Sequence, residues 1–232
     1  MTKILGIIPA RGGSKRLPGK NTRLLGGKPL ITRTIDSALA SKKLDRIAVS
    51  SDSEEVLAFA KDHGNENLFF LRRPDEISRD DSPAIEYVNH ALEFFKGKGE
   101  EFDVVVILQP SSPFTSPEDI DGTINLLLDS GADSAVSVVK LAHDINPLKM
   151  KIMDGDKLLP YLEEEKGRME QGKLPEIYVR NCSVYASKKG VIDTGRIIGD
   201  DCRGFVMPRE RSVDINDEFD FLLSEFLNSG RV

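Results

Sequence analysis

The sequence predicts a three-layer α/β/α sandwich around a mostly parallel sheet, with a small excursion within it. Short apolar runs alternate with segments in which apolar residues recur at helical spacing. The first run ends in a loop rich in glycine and cations, as a buried parallel strand does when it leads into a ligand loop. With 232 residues, 39% of them hydrophobic, the chain can bury the core of one domain spanning residues 1–232.

The expected strands are short, continuous apolar runs. The first, Ile4 to Pro9, should lie at the centre of the sheet. A strand rich in β-formers is expected near the other end of the chain, at Ile177 to Ala186. The runs between them with the same pattern are Arg46 to Ser50, Leu68 to Leu71, Val104 to Leu108 and Ser134 to Val139.

The helices are predicted from apolar spacing and from capping residues. Apolar residues share one face in the segments Ile31 to Leu39 and Val56 to Ala60. A third helix should run from Ser82 to Phe95, with Ser82 as its cap. A fourth should start at Ser116, because serine suits the cap and the Pro117 that follows suits the first helical position.

The alternation stops between residues 140 and 175. This stretch is polar, holds three prolines and contains Asp154-Gly155-Asp156 at an expected turn. It therefore predicts an excursion from the sheet. The chain closes with a helix at Glu218 to Asn228, in which four apolar residues share one face: Phe219, Leu222, Leu223 and Phe226.

The overall charge argues against general binding to large anionic partners. A formal net charge of -6 and a pI near 5.3 argue against nucleic acid and membrane surfaces as partners. Two cysteines are too few for a disulfide framework. The N-terminal apolar run of about six residues is far shorter than the ~18 of a membrane span, so a cytoplasmic protein is expected.

The loop from Ala10 to Asn21 carries the strongest functional indication. It packs four cations and three glycines into twelve residues directly after a buried strand. Glycines let backbone N–H groups approach phosphate oxygens, and Arg11, Lys15 and Lys20 are the expected clamps on a polyanion. The loop has neither Walker A nor G-x-G-x-x-G spacing. A turn with solvated charges is the weaker alternative, since loops at the carboxyl ends of parallel strands are the usual ligand sites.

The sequence IPARGGSKRLPGKN at residues 8–21 resembles the signature loop of the acylneuraminate cytidylyltransferase family, the CMP-sialic acid synthetases. The resemblance implies a Rossmann-type fold like that of nucleotide-diphospho-sugar transferases, with CTP and a nine-carbon acidic sugar as substrates. It also implies a homodimer, in which residues 140–175 form the dimerisation region and Lys149 or Arg168 approaches the partner's pocket. Further matching segments are Leu71 to Pro74, Asp80 to Ser82, Leu108 to Phe114 and Asp214 to Asp220.

Carried over position by position, the resemblance implies the site residues. Arg72 is preferred to Arg73, because adjacent residues of an extended segment point to opposite sides. The catalytic residues are Arg11, Lys20 and Asp214. The nucleotide-binding residues are Ala10, Arg11, Gly12, Ser14, Lys15, Lys20, Asn21, Arg72, Ser82 and Gln109. The sugar-binding residues are Gln109, Ser111, Asn181 and Tyr185.

The chain departs from the family pattern at two of these segments. Magnesium, or manganese, is the implied cofactor, with Asp214 and Asn216 as ligands, yet many relatives have a second Asp where this chain has Asn216. Asp217 is an alternative ligand. In the sugar half, Cys182 stands where the family often has glycine, and strand packing or a changed sugar preference could follow.

The implied reaction joins CMP from CTP to the anomeric hydroxyl of the sugar acid and releases pyrophosphate. Arg16 to Lys20 is shared with cytidylyltransferases for 3-deoxy-octulosonate, the nearest rival. The loop Gln109 to Pro113 lacks the acidic metal ligand of those enzymes, which favours the sialate type. A non-catalytic CTP or CMP sensor is a rival from another class.

Overall fold

The structure is a computed structural model and describes residues 2–162 and 175–230. The strands of these residues are β1 (Ile4–Pro9), β2 (Leu24–Leu25), β3 (Lys28–Pro29), β4 (Arg46–Ser51), β5 (Leu68–Arg72), β6 (Val104–Leu108), β7 (Ser134–Lys140), β8 (Lys151–Asp154), β9 (Lys157–Pro160), β10 (Tyr178–Lys188) and β11 (Cys202–Val206). The α-helices are α1 (Leu30–Ala40), α2 (Glu54–Lys61), α3 (Ala84–Lys96), α4 (Pro117–Ser130), α5 (Lys189–Asp193) and α6 (Glu218–Asn228).

The main sheet has seven strands in the order β11-β7-β10-β6-β1-β4-β5. All of them run parallel except β10, which is antiparallel to both β6 and β7. The prediction of a mostly parallel sheet is confirmed, and so is the place of β1 inside it. Every predicted strand appears with its bounds shifted by at most two residues.

Helices cover both faces of the sheet, as the two alternating sets of β1 side chains show. Ile4 and Ile8 pack in one core cluster with residues of α1, α2 and α4. Leu5 and Ile7 pack in a second cluster with residues of α3 and α5. Because successive side chains of a strand point to opposite faces, β1 holds the two helical layers together. The predicted three-layer sandwich is confirmed.

Two N-terminal helix caps were predicted; the one of α4 is confirmed and the one of α3 is wrong. Ser116 caps α4 in a reciprocal capping box with Asp119, and Pro117 occupies the first turn. The prediction of Ser82 as the cap of α3 is wrong, since that helix begins at Ala84 after Pro83. The Ser82 hydroxyl instead accepts the N–H of Arg79, which is its partner in the preceding turn.

In the described part of the excursion, up to residue 162, the chain leaves the main sheet. Strands β8 and β9 form a separate two-stranded hairpin, and Gly155 provides the positive φ of its turn. The hairpin exposes large apolar side chains, among them Ile152, Met153 and Leu158. Arg168 lies outside the described residues.

The last helix packs through a different side chain from those that its sequence pattern groups. Phe221 is 2% exposed and lies in a third core cluster with Leu17, Leu25 and Ile215. The four apolar residues of the predicted face are 40% to 75% exposed: Phe219, Leu222, Leu223 and Phe226. In the part of the chain that the structure describes, no helix combines the length and apolarity that a membrane crossing needs.

Candidate active site

A cleft of about 630 Å³ opens at the carboxyl edge of the sheet. Pro9 at the end of β1, Arg73 after β5 and Gln109 after β6 contribute to its wall. This edge is where open parallel sheets bind ligands. Nine of the predicted site residues line it: Arg11, Ser14, Lys15, Lys20, Asn21, Ser82, Gln109, Ser111 and Asn216.

The loop from Ala10 to Asn21 is called the cation loop below. Two of its predicted site residues have a structural role and do not face the cleft. Ala10 is fully buried, and its N–H donates to Ser50 O. The N–H of Gly12 donates to Asp52 Oδ1 at 2.8 Å, so it has a protein acceptor already. A Cβ at Gly12 would lie 2.8 Å from the Cβ of Ser53, which is why this position requires glycine. Neither residue lines the cleft.

The preference for Arg72 over Arg73 is corrected by the structure. Arg72 points away from the cleft and lies 3.4 Å from Glu54 at the surface. Arg73 is 2% exposed and donates to Ser50 Oγ at 3.1 Å and to Ser50 O at 2.9 Å. Its guanidinium lies 4.8 Å from the centroid of the Tyr87 ring. Burial lowers the pKa of Arg73, which still remains a cation.

Two loop cations reach across the cleft to one carboxylate. Arg11 Nη1 lies 3.0 Å from Asp80 Oδ1 and also donates to Ser78 O. Lys15 pairs with the other oxygen of Asp80. These hydrogen bonds hold the pKa of Asp80 below its usual value. Asp80 therefore forms ion pairs with both cations.

Lys20 and Asn21 fix the far end of the loop. Lys20 Nζ donates to Ile215 O at 2.9 Å, and Asn21 Nδ2 donates to Arg11 O at 2.7 Å. Burial lowers the pKa of Lys20, and the negative charge of Asp214 opposes that shift. The loop is thus attached to the segment that carries Asp214.

Residues 211–216, called the Asp214 segment below, are held in place by two contacts. The Arg211 guanidinium donates to both carboxylate oxygens of Asp119, each at 2.8 Å. The N–H of Ile215 donates to Ser111 O at 2.8 Å, just beyond β6. The anchors bring Asn216 to the wall of the cleft.

The expected metal ligands fit a divalent cation only in part. Asn216 Nδ2 donates to Asp214 Oδ2 at 2.9 Å, and Asn216 Oδ1 accepts from Arg16 Nη2 at 2.9 Å. The amide oxygen that would coordinate a metal therefore has a cationic donor on it. Among the described residues, no three His, Cys, Asp or Glu side chains form a metal-binding group. Asp214 can offer one carboxylate, and magnesium commonly takes its other ligands from phosphates and water.

Asn181 and Tyr185 lie in β10 and do not line the cleft. Asn181 is 4% exposed, accepts from Ser137 Oγ at 2.6 Å and donates to Ser212 Oγ at 2.9 Å. Its amide therefore supports the Asp214 segment from behind. Burial, and then a hydrogen bond with Cys182, raises the pKa of the Tyr185 hydroxyl.

Cys182 interrupts the pairing of β10 with β7. The register shifts between Arg180 and Tyr185, and Cys182 has a φ of 61°. No other non-glycine residue in ranges 2–162 and 175–230 has a positive φ. A left-handed backbone explains why a glycine would suit this position.

Comparisons with known proteins identify the family of this chain. A family model described as Cytidylyltransferase matches residues 5–194. The chain belongs to the cytidylyltransferase family. Family membership makes the chain a nucleotidyltransferase.

Two relatives cover nearly all of this cytidylyltransferase. CMP-N,N'-diacetyllegionaminic acid synthase of Legionella pneumophila is 36% identical over 229 residues, which are 97% of this chain and 96% of the relative. N-acylneuraminate cytidylyltransferase of Escherichia coli is 30% identical over 224 residues, which are 96% of this chain. The aligned part is 51% of the E. coli protein, so the chain spans about half of that relative's length.

Solved structures show the same fold at low sequence identity. A CMP:2-keto-3-deoxy-manno-octonic acid synthetase complexed with CTP covers 100% of both chains with a TM-score of 0.71 and 16% identity. A 4-diphosphocytidyl-2C-methyl-D-erythritol synthase covers 98% of both chains with a TM-score of 0.69 and 13% identity. Both likenesses show the α/β fold of this chain.

Several cleft residues of the cytidylyltransferase escape sequence reasoning. Tyr87 reaches the cleft from a helix that pattern alone assigns to the core, and Arg79 and Asp80 come from an irregular turn. Asp80 lies in the segment Asp80 to Ser82, which resembles the family, but the resemblance gave it no role. Arg16 differs, since it belongs to the predicted loop but received no role.

Proposed function

We propose that this cytidylyltransferase transfers CMP from CTP to the anomeric hydroxyl of a nine-carbon 2-keto sugar acid and releases pyrophosphate. One observation carries the proposal. The cation loop faces a cleft at the carboxyl edge of the sheet, in a chain that matches a CMP-N,N'-diacetyllegionaminic acid synthase along 97% of its length. The similarity to the octonic acid synthetase, at 16% identity, supports the fold alone.

The chemistry requires in-line attack of the sugar hydroxyl on the α-phosphorus, with pyrophosphate leaving on the opposite side. The protein's contribution is positioning and charge stabilisation. Lys20 and Arg11 bind the phosphate oxygens on which charge grows, and Ser14 donates a hydrogen bond. Gln109 presents both a donor and an acceptor to the cytosine edge or to sugar hydroxyls. The buried Arg73 adds a fixed positive charge beside them.

Magnesium or manganese is the proposed cofactor, with Asp214 as its protein ligand. When bound, the cation would neutralise phosphate charge as a Lewis acid. The negative charge of Asp214 also raises the pKa of Lys20 and so opposes part of the lowering that burial causes. We leave Asn216 out of the ligand set because its oxygen accepts from Arg16.

A homodimer built on the β8–β9 hairpin completes the proposal. Apolar side chains that are exposed on a small hairpin support a protein contact there, including Ile152, Met153, Leu158 and Tyr161. Lys149 ends the short helix before the hairpin, where the partner's pocket would meet it.

Free thiols at Cys182 and Cys202 are compatible with the reducing cytoplasm, which is the proposed location.

The test is pyrophosphate release from CTP and magnesium with a panel of sugar acids. The panel holds N,N'-diacetyllegionaminate, N-acetylneuraminate, pseudaminate and the eight-carbon 3-deoxy-octulosonate. Lys20→Ala should lose turnover by at least about 100-fold, since a charge-assisted contact to the transferring group is removed. Lys61→Ala, at the exposed end of α2, is the matched control.

Each outcome decides between the candidate functions. Release with a nine-carbon acid that Lys20→Ala abolishes supports the proposal. Release with the octulosonate alone would assign the chain to that substrate class. CTP binding without release for any acceptor would indicate a nucleotide sensor.

A further inference from the structure

The four cations of the loop differ in what they are bonded to. Arg11 and Lys15 share the carboxylate of Asp80. Lys20 donates to the carbonyl of Ile215 and Arg16 donates to the amide oxygen of Asn216. A neutral acceptor leaves the charge of its donor intact, so Arg16 and Lys20 are the loop cations whose side chains form no ion pair with a described carboxylate.

The guanidinium of Arg16 is held in one orientation, yet most of its N–H groups are available to a ligand. Its Nη2 is held by Asn216 at 2.9 Å, and its remaining N–H groups have no protein acceptor in the part of the chain that the structure describes. The side chain lines the cleft and is exposed to it. A guanidinium carries five N–H donors in a planar fork that matches phosphate oxygens in pairs. Arg16 therefore has the donors to bind a phosphate while keeping its bond to Asn216.

The orientation of Asn216 is determined by its neighbours. Its Nδ2 donates to Asp214 Oδ2, and its backbone N–H donates to Asp220 Oδ2 at 2.8 Å. If the amide were flipped, its NH₂ group would face the guanidinium and its oxygen would face the Asp214 carboxylate. Both contacts would be repulsive, so the amide oxygen must face Arg16.

We infer that Arg16 is a phosphate-binding residue of this cytidylyltransferase, and that Asn216 is the positioning residue that directs it into the cleft. The inference rests on the proposed function in that the phosphates are those of CTP. An amide at position 216 orients Arg16 without cancelling its charge, whereas a carboxylate there would form an ion pair with it. The Asn216 departure from the family pattern thus serves nucleotide binding.

The test is calorimetric titration of CTP, CDP and CMP into the whole chain, with EDTA and with magnesium. In Arg16→Gln, CTP affinity should fall about 10- to 100-fold, the equivalent of one charge-assisted contact. CMP affinity should fall about twofold or less, because CMP lacks the β- and γ-phosphates, which carry most of the charge of CTP. Arg196→Gln removes the same charge from an exposed site near the start of β7, at the opposite edge of the sheet, and should change neither affinity.

Asn216→Ala tests the positioning role through a double-mutant cycle. Alone it should weaken CTP binding about 3- to 10-fold, and in the Arg16→Gln background it should have no further effect. Thermal unfolding of all variants checks that they remain folded. A merely structural role of Asn216 would lower CTP and CMP affinity alike and would persist without Arg16.

Unchanged CTP affinity in Arg16→Gln, or an equal loss for CTP and CMP, would overturn the inference. So would additive effects of the two substitutions. Failure of the proposed function has a different signature, namely CTP binding by the unmodified chain without pyrophosphate release from any sugar acid. A chain that binds no CTP with or without magnesium would overturn both.

Discussion

Arg211 and Asp119 form the ion pair that joins the Asp214 segment to the first turn of α4. Both hydrogen bonds measure 2.8 Å, and the Asp119 side chain is 2% exposed. Asp119 Oδ2 also accepts the N–H of Ser116 in the capping box. One carboxylate therefore stabilises a helix terminus and a wall of the active site together.

Asp119→Asn should destabilise the chain by about 2 kcal/mol, because an amide can accept only one of the bonds that the carboxylate accepts from Arg211. Urea unfolding measures the change. Glu118→Gln removes the same charge from an exposed neighbour in that turn and should cost less than about 0.5 kcal/mol. Equal costs for the two variants would show that only helix-end electrostatics matter here.

The affinity for CTP should fall at alkaline pH earlier than an ordinary lysine would allow. Burial lowers the pKa of Lys20 from 10.5, and only the protonated form attracts phosphate. As pH rises through that lowered pKa, the contact is lost. Lys20→Arg should retain affinity over the whole range, since arginine stays charged.

The measurement is the dissociation constant of CTP between about pH 7 and pH 11, for both forms of the protein. Lys61→Arg at the surface serves as the matched lysine-to-arginine control. An alkaline decline that persists unchanged in Lys20→Arg would assign the titration to another group.

Removing the carboxylate that occupies Arg11 and Lys15 should strengthen nucleotide binding. Asp80 pairs with both cations and must release them to a triphosphate. Because exposed ion pairs are individually weak, Asp80→Asn should raise CTP affinity only about two- to tenfold at low salt. The gain should shrink as ionic strength rises.

Asp81→Asn, one residue along, supplies the same change in net charge without an ion pair to either cation. Titrations of the two variants at two salt concentrations separate local release from a general effect of charge. Weaker binding in Asp80→Asn would mean that Asp80 orients the cations for the nucleotide.

The left-handed backbone at Cys182 predicts a stabilising substitution. Cys182→Gly should raise the free energy of unfolding by about 1 kcal/mol, since a side chain at positive φ costs roughly 1–2 kcal/mol and glycine loses part of that gain to entropy. Urea unfolding tests this. Cys202→Gly, in the extended strand β11, should destabilise instead, and a loss of stability in both variants would contradict the strain.

Periodicity and capping were sufficient for most of the fold, because local rules and tertiary packing agree there. The bounds of β1, β6 and α6 are those expected from their sequence patterns. Tertiary packing overrode the pattern in α6, where Phe221 is buried beneath the cation loop and Phe219 is 75% exposed. Pro83 overrode Ser82 as the start of α3.

The residues of the candidate site likewise fall into those that local sequence predicts and those that depend on tertiary contacts. The loop cations Arg11, Lys15 and Lys20 were predictable because they follow a buried strand directly. The choice between Arg72 and Arg73 was not, since it depends on which of the two meets Ser50 of the neighbouring strand. Contacts between segments distant in sequence decide such cases.

Strand β10 separates β6 from β7, although these two follow each other in the chain. During synthesis, β1, β4, β5 and β6 can pair as soon as they emerge, whereas β7 has no neighbour in the sheet until β10 has been made. Both β6 and β7 keep open edges over that interval, and open edges are where nascent chains associate wrongly. The cation loop belongs to the half that assembles first, so completion of the sheet is the vulnerable stage in biosynthesis.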